Sequence, residues 1–327
     1  MAPKNAKTFT LIAAGVVLLF LPKFIPSNYQ MTVINLGGIY MILAAGLNVI
    51  LGFTGLMSFT QAAFWGIGSY TAGLLAVEHG FPFLLTVPAA AFLTAAVGFL
   101  LGLPSLRKLK KFYLAVTTIG FVHITRLILE NWTSLTRGAD GLPGIPKPAI
   151  GPLHFDTMHK FYYITLISCF LLIWLTAVIK NSRVGRAMQA IREDDLAAEV
   201  MGVNVFKYKV LAFTISAFYG GLGGALYAHL VGYISPDIFT FEEAVTVLCM
   251  LMIGGSGLIA GPVVGATLLT VIPEWLRFMQ EYNAIIYGAA VVVMAVYMPT
   301  GLVGLTQPYW RRLAVLFSSA KKNGGTG

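Results

Sequence analysis

The chain has 327 residues, of which 57% are hydrophobic and 11% charged, with a net charge of +9. A soluble domain carries about 25% charged residues, and the mean hydropathy here is +0.79, so composition excludes a soluble globular protein. The apolar runs are continuous rather than alternating, which argues against a β-barrel and leaves an all-α polytopic membrane protein.

About ten membrane segments are predicted, some of them interrupted, over 9–25, 31–51, 61–77, 83–103, 112–130, 161–179, 208–230, 242–254, 258–275 and 283–299. The first follows Lys4 and Lys7 and reads "LIAAGVVLLFL" with no small-residue cleavage site behind it. An uncleaved helix is therefore expected, not a signal peptide. Between the second and third segments lies "LGFTGLMSFTQAAFWGIGSY", residues 51–70. A lipid-facing helix gains nothing from so many glycines and hydroxyls. Two readings stand: close helix packing through small residues, or a break whose freed backbone groups face a solute pathway. Packing alone has no need of Gln61, so Gly52, Thr54, Gly55, Ser58, Thr60 and Gln61 are candidate pathway residues.

The fifth segment places His123, Arg126 and Glu130 on one helical face near its outer end, where anchoring at the interface is the favoured role. Residues 131–160 are rich in Gly and Pro and read as an ordered loop outside the membrane. Residues 181–207, "NSRVGRAMQAIREDDLAAEVMGVNVFK", read as cytoplasmic and helical. Asp194 or Asp195 suits an N-cap before "LAAEVM", with one short helix or two turning at "EDD". Gly202 followed by Val203 is a stop signal. Leu196 and Val200 share a face that either docks against a partner protein or packs on the chain's own membrane domain. The eighth segment is too short to cross about 30 Å of hydrocarbon, so it is tilted or broken. After it, "GGSGLIA" (254–260) echoes "GFTGLMS" (52–58), which adds Gly254, Ser256 and Gly257 to the pathway candidates. Both copies follow a segment running the same way, so the repeat is a parallel one.

Charge sets the orientation. Sixteen of the 22 basic residues fall on the side of Lys4, Lys110, Arg186, Lys207 and Arg311, and the opposite side holds nine of the 13 acids. The positive-inside rule then puts both ends in the cytoplasm. That distribution, short basic loops between apolar runs, also argues against nucleic acid as a partner. Cys169 and Cys249 sit in apolar segments and read as inert. The five histidines have no metal-ligand spacing. No GxxxxGK[ST] is present to cradle ATP, and no catalytic set stands out. Glu242 and Glu243 fall near a segment end, so no mid-membrane acid is expected.

"GLNVILGFTGLMSFTQAAFWGIGSYTAGLL", "FYLAVTTIGF", "LTRGADGLPGIP", "SRVGRAMQAIREDDLAAEVMGVNVFKYKVLAF" and "GGSGLIAGPVVGA" resemble the branched-chain amino-acid ABC transporter permeases of the LivM type, over about residues 30 to 305. The outer loop departs at Arg137 and Ala139, where the family usually has small or polar residues. The resemblance implies a bacterial inner-membrane, multi-pass import subunit that is not an enzyme. It implies a LivH-type permease partner, two cytoplasmic ATPase subunits that hold the ATP and Mg, and a periplasmic amino-acid-binding protein. It implies that Gly185, Arg186, Ala190, Ile191, Arg192, Glu193, Asp194, Ala197, Ala198 and Gly202 belong to the segment coupling to the ATPase. Asp140, Gly141 and Leu142 would receive the binding protein. The same architecture importing urea, a short amide or a sugar is an alternative, as is a stand-alone carrier.

Overall fold

The computed structural model describes residues 19–108, 111–151, 153–275 and 301–304. The predicted segment 283–299 and most of 9–25 lie outside the described residues. The remaining predicted segments all appear as helices. These are α1 (Asn28–Leu47), α2 (Gln61–Val77), α3 (Phe83–Lys108) and α4 (Lys111–Asn131). A short α5 (Thr133–Thr136) precedes α6 (Met158–Asn181), and then come α7 (Arg183–Glu193), α8 (Asp195–Val200) and α9 (Val205–Val231). The last described helices are α10 (Phe241–Gly254) and α11 (Gly261–Trp275). Among the described residues, five helical stretches are long and apolar enough to cross a membrane: Asn28–Phe53, Phe83–Leu106, Tyr113–Asn131, Met158–Asn181 and Val205–Val231.

The bundle is built around α9, which packs along α3, α2 and α1. Small residues make that approach possible. A Cβ on Gly68 would stand 2.5 Å from Gly221 Cα, and one on Gly224 would stand 2.7 Å from Ser69 N. Without an aqueous drive between lipid-facing helices, close backbone contact of this kind supplies the association energy. Gly68 is thus a packing glycine against α9, and Gly66 is one against the Phe239 side chain, so the packing reading holds for that half of residues 51–70. Asn28–Phe53 and α9 are largely buried, whereas α3, α4 and α6 turn most of their apolar surface outward, as helices against lipid do.

The two ends of the bundle differ. At one end, the loop end, β1 (Leu142–Pro143) pairs antiparallel with β4 (Tyr233–Ile234), and β2 (Ala149–Ile150) with β3 (Leu153–His154). Lys147 Nζ donates to Leu230 O at 2.8 Å, and Ile145 N to Gly232 O at 3.1 Å. His229 bonds Pro146 O at 2.9 Å and Thr86 Oγ1 at 3.0 Å. The loop is ordered because its own backbone is tied to the end of α9. At the other end, the α7 end, lie α7, α8 and the start of α9.

The segment joining α9 to α10 corrects one expectation. Residues 232–240 pass through β4 and a 3-10 turn (Pro236–Ile238) and descend into the bundle. The Phe239 ring reaches Trp65 at 5.3 Å, and Glu243 Oε2 accepts from Tyr40 Oη at 2.9 Å. Tyr40 is a dozen residues from either end of Asn28–Phe53, about 18 Å at 1.5 Å per residue. So α10 begins at the depth of mid-helix. Glu243 lies inside the span and not at its end, because extended chain had already covered that depth.

Candidate functional site

The stretch at 51–70 is a break. After Leu47 the helix widens into π turns over Asn48–Phe53. Gly55 then takes φ +70, and no helix resumes until Gln61. The polar side chains of the break find protein partners. Thr54 Oγ1 donates to Ile50 O at 2.6 Å, and Ser58 Oγ meets Thr60 Oγ1 at 2.9 Å. Gln61 Nε2 donates to Leu43 O at 2.6 Å, and its Oε1 accepts from Ser216 Oγ at 3.3 Å. All four side chains are at most 1% exposed. Thr54 and Gln61 thus bond backbone carbonyls beside the break, where an apolar setting offers few other donors, and in this conformation all four side chains are closed over.

The echo is also a break. Between α10 and α11, Gly255 has φ +118 and Gly257 φ +81. Gly55 and Gly257 hold the same place in the two copies, and both adopt the left-handed backbone that other residues resist. A Cβ on Gly254 would stand 2.9 Å from Gly265 N, so α10 and α11 meet there backbone to backbone. Ser256 is half-buried.

The two breaks touch. Asn48, fully buried, accepts from Gly257 N at 2.7 Å and donates to Leu258 O at 2.9 Å. Lys180 Nζ donates to Gly257 O at 2.6 Å, and Arg192 Nη1 to Gly52 O. Both cations thus cap carbonyls at or just beyond the C-terminal ends of interrupted helices, where the backbone dipole is negative.

Arg192 comes from the predicted coupling segment, which forms two helices turning at Asp194. Ser182 caps α7 by accepting from Gly185 N at 3.2 Å. Asp194 caps α8 by accepting from Leu196 N and Ala197 N at 2.8 and 3.0 Å. Gly202, at φ +84, stops α8, and Val203 N closes on Ala198 O at 3.0 Å. The inner face of this pair is Gly185, Met188, Ile191 and Ala198, with Met188 packed on Val49 and Phe53. Arg186, Ala190, Arg192, Glu193, Asp194, Ala197 and Gly202 are exposed, although the Arg192 guanidinium turns inward. Leu196, Val200 and Met201 project outward at 71%, 80% and 83% exposure.

At the loop end Asp140 is exposed, while Gly141 and Leu142 are buried, Leu142 against Gly73 and opposite Ile234. Arg126 pairs with Asp237 at 2.6 Å, and the His123 ring lies 6.2 Å from Phe241. Among the described residues no group of three or more His, Cys, Asp or Glu is placed to hold a metal. Cys169 is buried and free, and Cys249 is half-buried and free.

Sequence reasoning missed Asn48, Lys180, Tyr40 and Glu243. Asn48 carried a usable signal, because an amide inside an apolar helix needs partners. Lys180 carried none, since a lysine closing a span looks like any other flank.

A family model described as branched-chain amino acid transport system / permease component matches residues 29–295. The chain is 36% identical to the high-affinity branched-chain amino acid transport system permease protein LivM of Escherichia coli K12, over 93% of this chain and 77% of that protein. It is 25% identical to the LivH permease protein of Salmonella typhimurium, over 83% and 93%. It is 28% identical to the autoinducer 2 import system permease protein LsrC of Escherichia coli O9:H4, over 90% and 87%. No solved structure matches it. With the family model spanning most of its length, the chain belongs to the permease components of branched-chain amino acid transport systems.

Proposed function

We propose that this chain is the permease subunit that carries a branched-chain amino acid from a periplasmic binding protein through the bacterial inner membrane, driven by ATP hydrolysed on separate subunits. One observation carries the reading: α7–α8 turns apolar side chains out to solvent on one face and with the other holds the first break, the Arg192 guanidinium lying also against Gly257 of the second. A helix pair of that kind passes a partner's motion to the membrane domain. The whole chain forms one permease domain of about ten spans with both ends in the cytoplasm, a reading supported by the basic α7 end. A LivH-type permease completes the pathway, and two ATPase subunits holding ATP and Mg dock on α7–α8. The residues at the two breaks, Gly52, Thr54, Gly55, Ser58, Thr60, Gln61, Gly254, Ser256 and Gly257, form the gate of the pathway. Asp140, exposed on the tied loop, meets the binding protein.

Docking is tested by Leu196→Asp with Val200→Asp. Both positions are exposed, so the chain still inserts, whereas Ala198 lies beneath the helix and a charge there would disturb the fold. The expected result is that the ATPase subunits no longer co-purify and leucine uptake is lost. Normal assembly and uptake in that variant would defeat the proposal.

The LsrC likeness favours a second reading, the same architecture serving another small solute. Competition of leucine uptake by other solutes in the reconstituted importer separates the two. Uptake by this chain alone, without ATP, would point to a stand-alone carrier.

A further inference from the structure

Arg192 lies in the docking segment, yet its guanidinium does not face the side on which an ATPase would sit. It donates to Gly52 O in the first break, and Gly257 of the second break lies directly against the same nitrogen. The stem of Arg192 covers Gly55, whose Cβ, if present, would be 3.2 Å from Arg192 Cγ and 3.6 Å from its Cα. Three of the glycines that define the two breaks therefore meet one side chain. Two other side chains close the node. Lys180 Nζ reaches Gly257 O at 2.6 Å, and Asn48 joins the breaks to each other through Gly257 N and Leu258 O.

The chemistry suits transmission. A guanidinium is planar and always charged, and it directs several N–H groups at once. Carbonyls at helix C-termini are its natural acceptors. The loops it holds have no regular ladder of their own, so their position depends on such contacts. Met188 and Ile191 are fully buried on the inner face of α7, and Met188 packs with Val49 and Phe53, which seats the helix on the first break. Arg192 and Lys180 extend that hold from this end to the second break.

We propose that Arg192 is a positioning residue that carries displacement of α7 to both interrupted hairpins together, with Asn48 locking the two into one gate. This rests on the permease reading above and adds which residue does the carrying. It places the ATPase contact on Leu196, Val200 and Met201 and not on Arg192.

The experiment uses the full importer in proteoliposomes, with this chain, its partner permease, the ATPase subunits and the binding protein loaded with radiolabelled leucine. Uptake and ATP hydrolysis are measured together. In Arg192→Ala, leucine imported per ATP is expected to fall at least tenfold. ATPase subunits are expected to co-purify as before, with hydrolysis within about twofold of wild type. Arg192→Lys keeps the charge and loses the fork, so import per ATP should fall several-fold. It also serves if the alanine variant fails to insert. Asn48→Ala should uncouple in the same way, and the double variant should lose little more than Arg192→Ala alone, because residues acting as one unit are not additive. Import per ATP at the wild-type level in Arg192→Ala or Arg192→Lys would overturn the proposal. So would loss of the ATPase subunits from Arg192→Ala, which would make Arg192 a docking contact. A wild-type importer that does not couple leucine entry to ATP would overturn the permease reading itself, a result distinct from either.

Discussion

Gly55 and Gly257 show what a single residue decides here. Both have positive φ, +70 and +81, and each follows a hydroxyl residue in the repeated pattern. A side chain in that backbone region costs roughly 1–2 kcal/mol. Gly55→Ala adds a crowded contact with Arg192. The melting midpoint of the detergent-solubilised chain is expected to drop in Gly55→Ala. Gly120 is the control. It lies within α4 with nothing within 4 Å of an added Cβ. Alanine there removes a helix penalty of about 0.5–1 kcal/mol, so the midpoint should hold or rise. Equal midpoints for the two variants would mean that the break is not fixed by its glycine. The sequence made these glycines visible through repetition alone. It assigned no packing role to Gly66 and Gly68, because that role depends on which residues lie opposite in the fold.

Among the elements, α7 and α8 were legible in the sequence, and the depth of α10 was not. Caps and stops are local chemistry: Asp194 and Gly202 mark their helix ends from within a few residues. The depth at which a helix begins is a tertiary quantity. Nothing within 232–240 announces that this stretch descends beside Trp65, so the acids after it looked peripheral. The tied loop yields a pH prediction. Lys147 is partly buried beneath the loop end, and burial lowers its pKa from 10.5. The folded state therefore gives up this proton at lower pH than the unfolded state does. Where the unfolded chain binds the extra proton, stability rises with pH. The tie of residues 141–148 to α9 is expected to tighten as pH climbs from the lowered value toward 10.5. Amide protection at Ile145, which donates to Gly232 O, measures this after correction for intrinsic exchange. Lys147→Met should flatten the dependence. Protection that falls over the same range in the wild type would contradict the assignment.

At the scale of the whole molecule, the ordering of charge and the ordering of structure meet at the same end. Lys180, Arg183, Arg186, Arg192, Lys207 and Lys209 all lie at or beside α7. The opposite end has Asp140, Asp156 and Asp237 among its ordered loops. Basic residues flanking spans are retained on the cytoplasmic side, so the α7 end should face the cytosol and the β1–β4 loop the exterior. Two single-cysteine variants decide it, made in a background where Cys169 and Cys249 are replaced. Val200 is 80% exposed on α8, and Ala139 is exposed beside Asp140. An impermeant maleimide added to intact cells with a permeabilised outer membrane should label Ala139→Cys and leave Val200→Cys unreacted. Inside-out vesicles should give the reverse. The same two sites separate the import reading from any scheme in which the docking helices face outward. A motor that burns cytosolic ATP reaches α8 only if α8 is on the cytosolic side, so labelling of Val200→Cys from outside would remove the driving force from the proposed mechanism while leaving every helix of the fold in place.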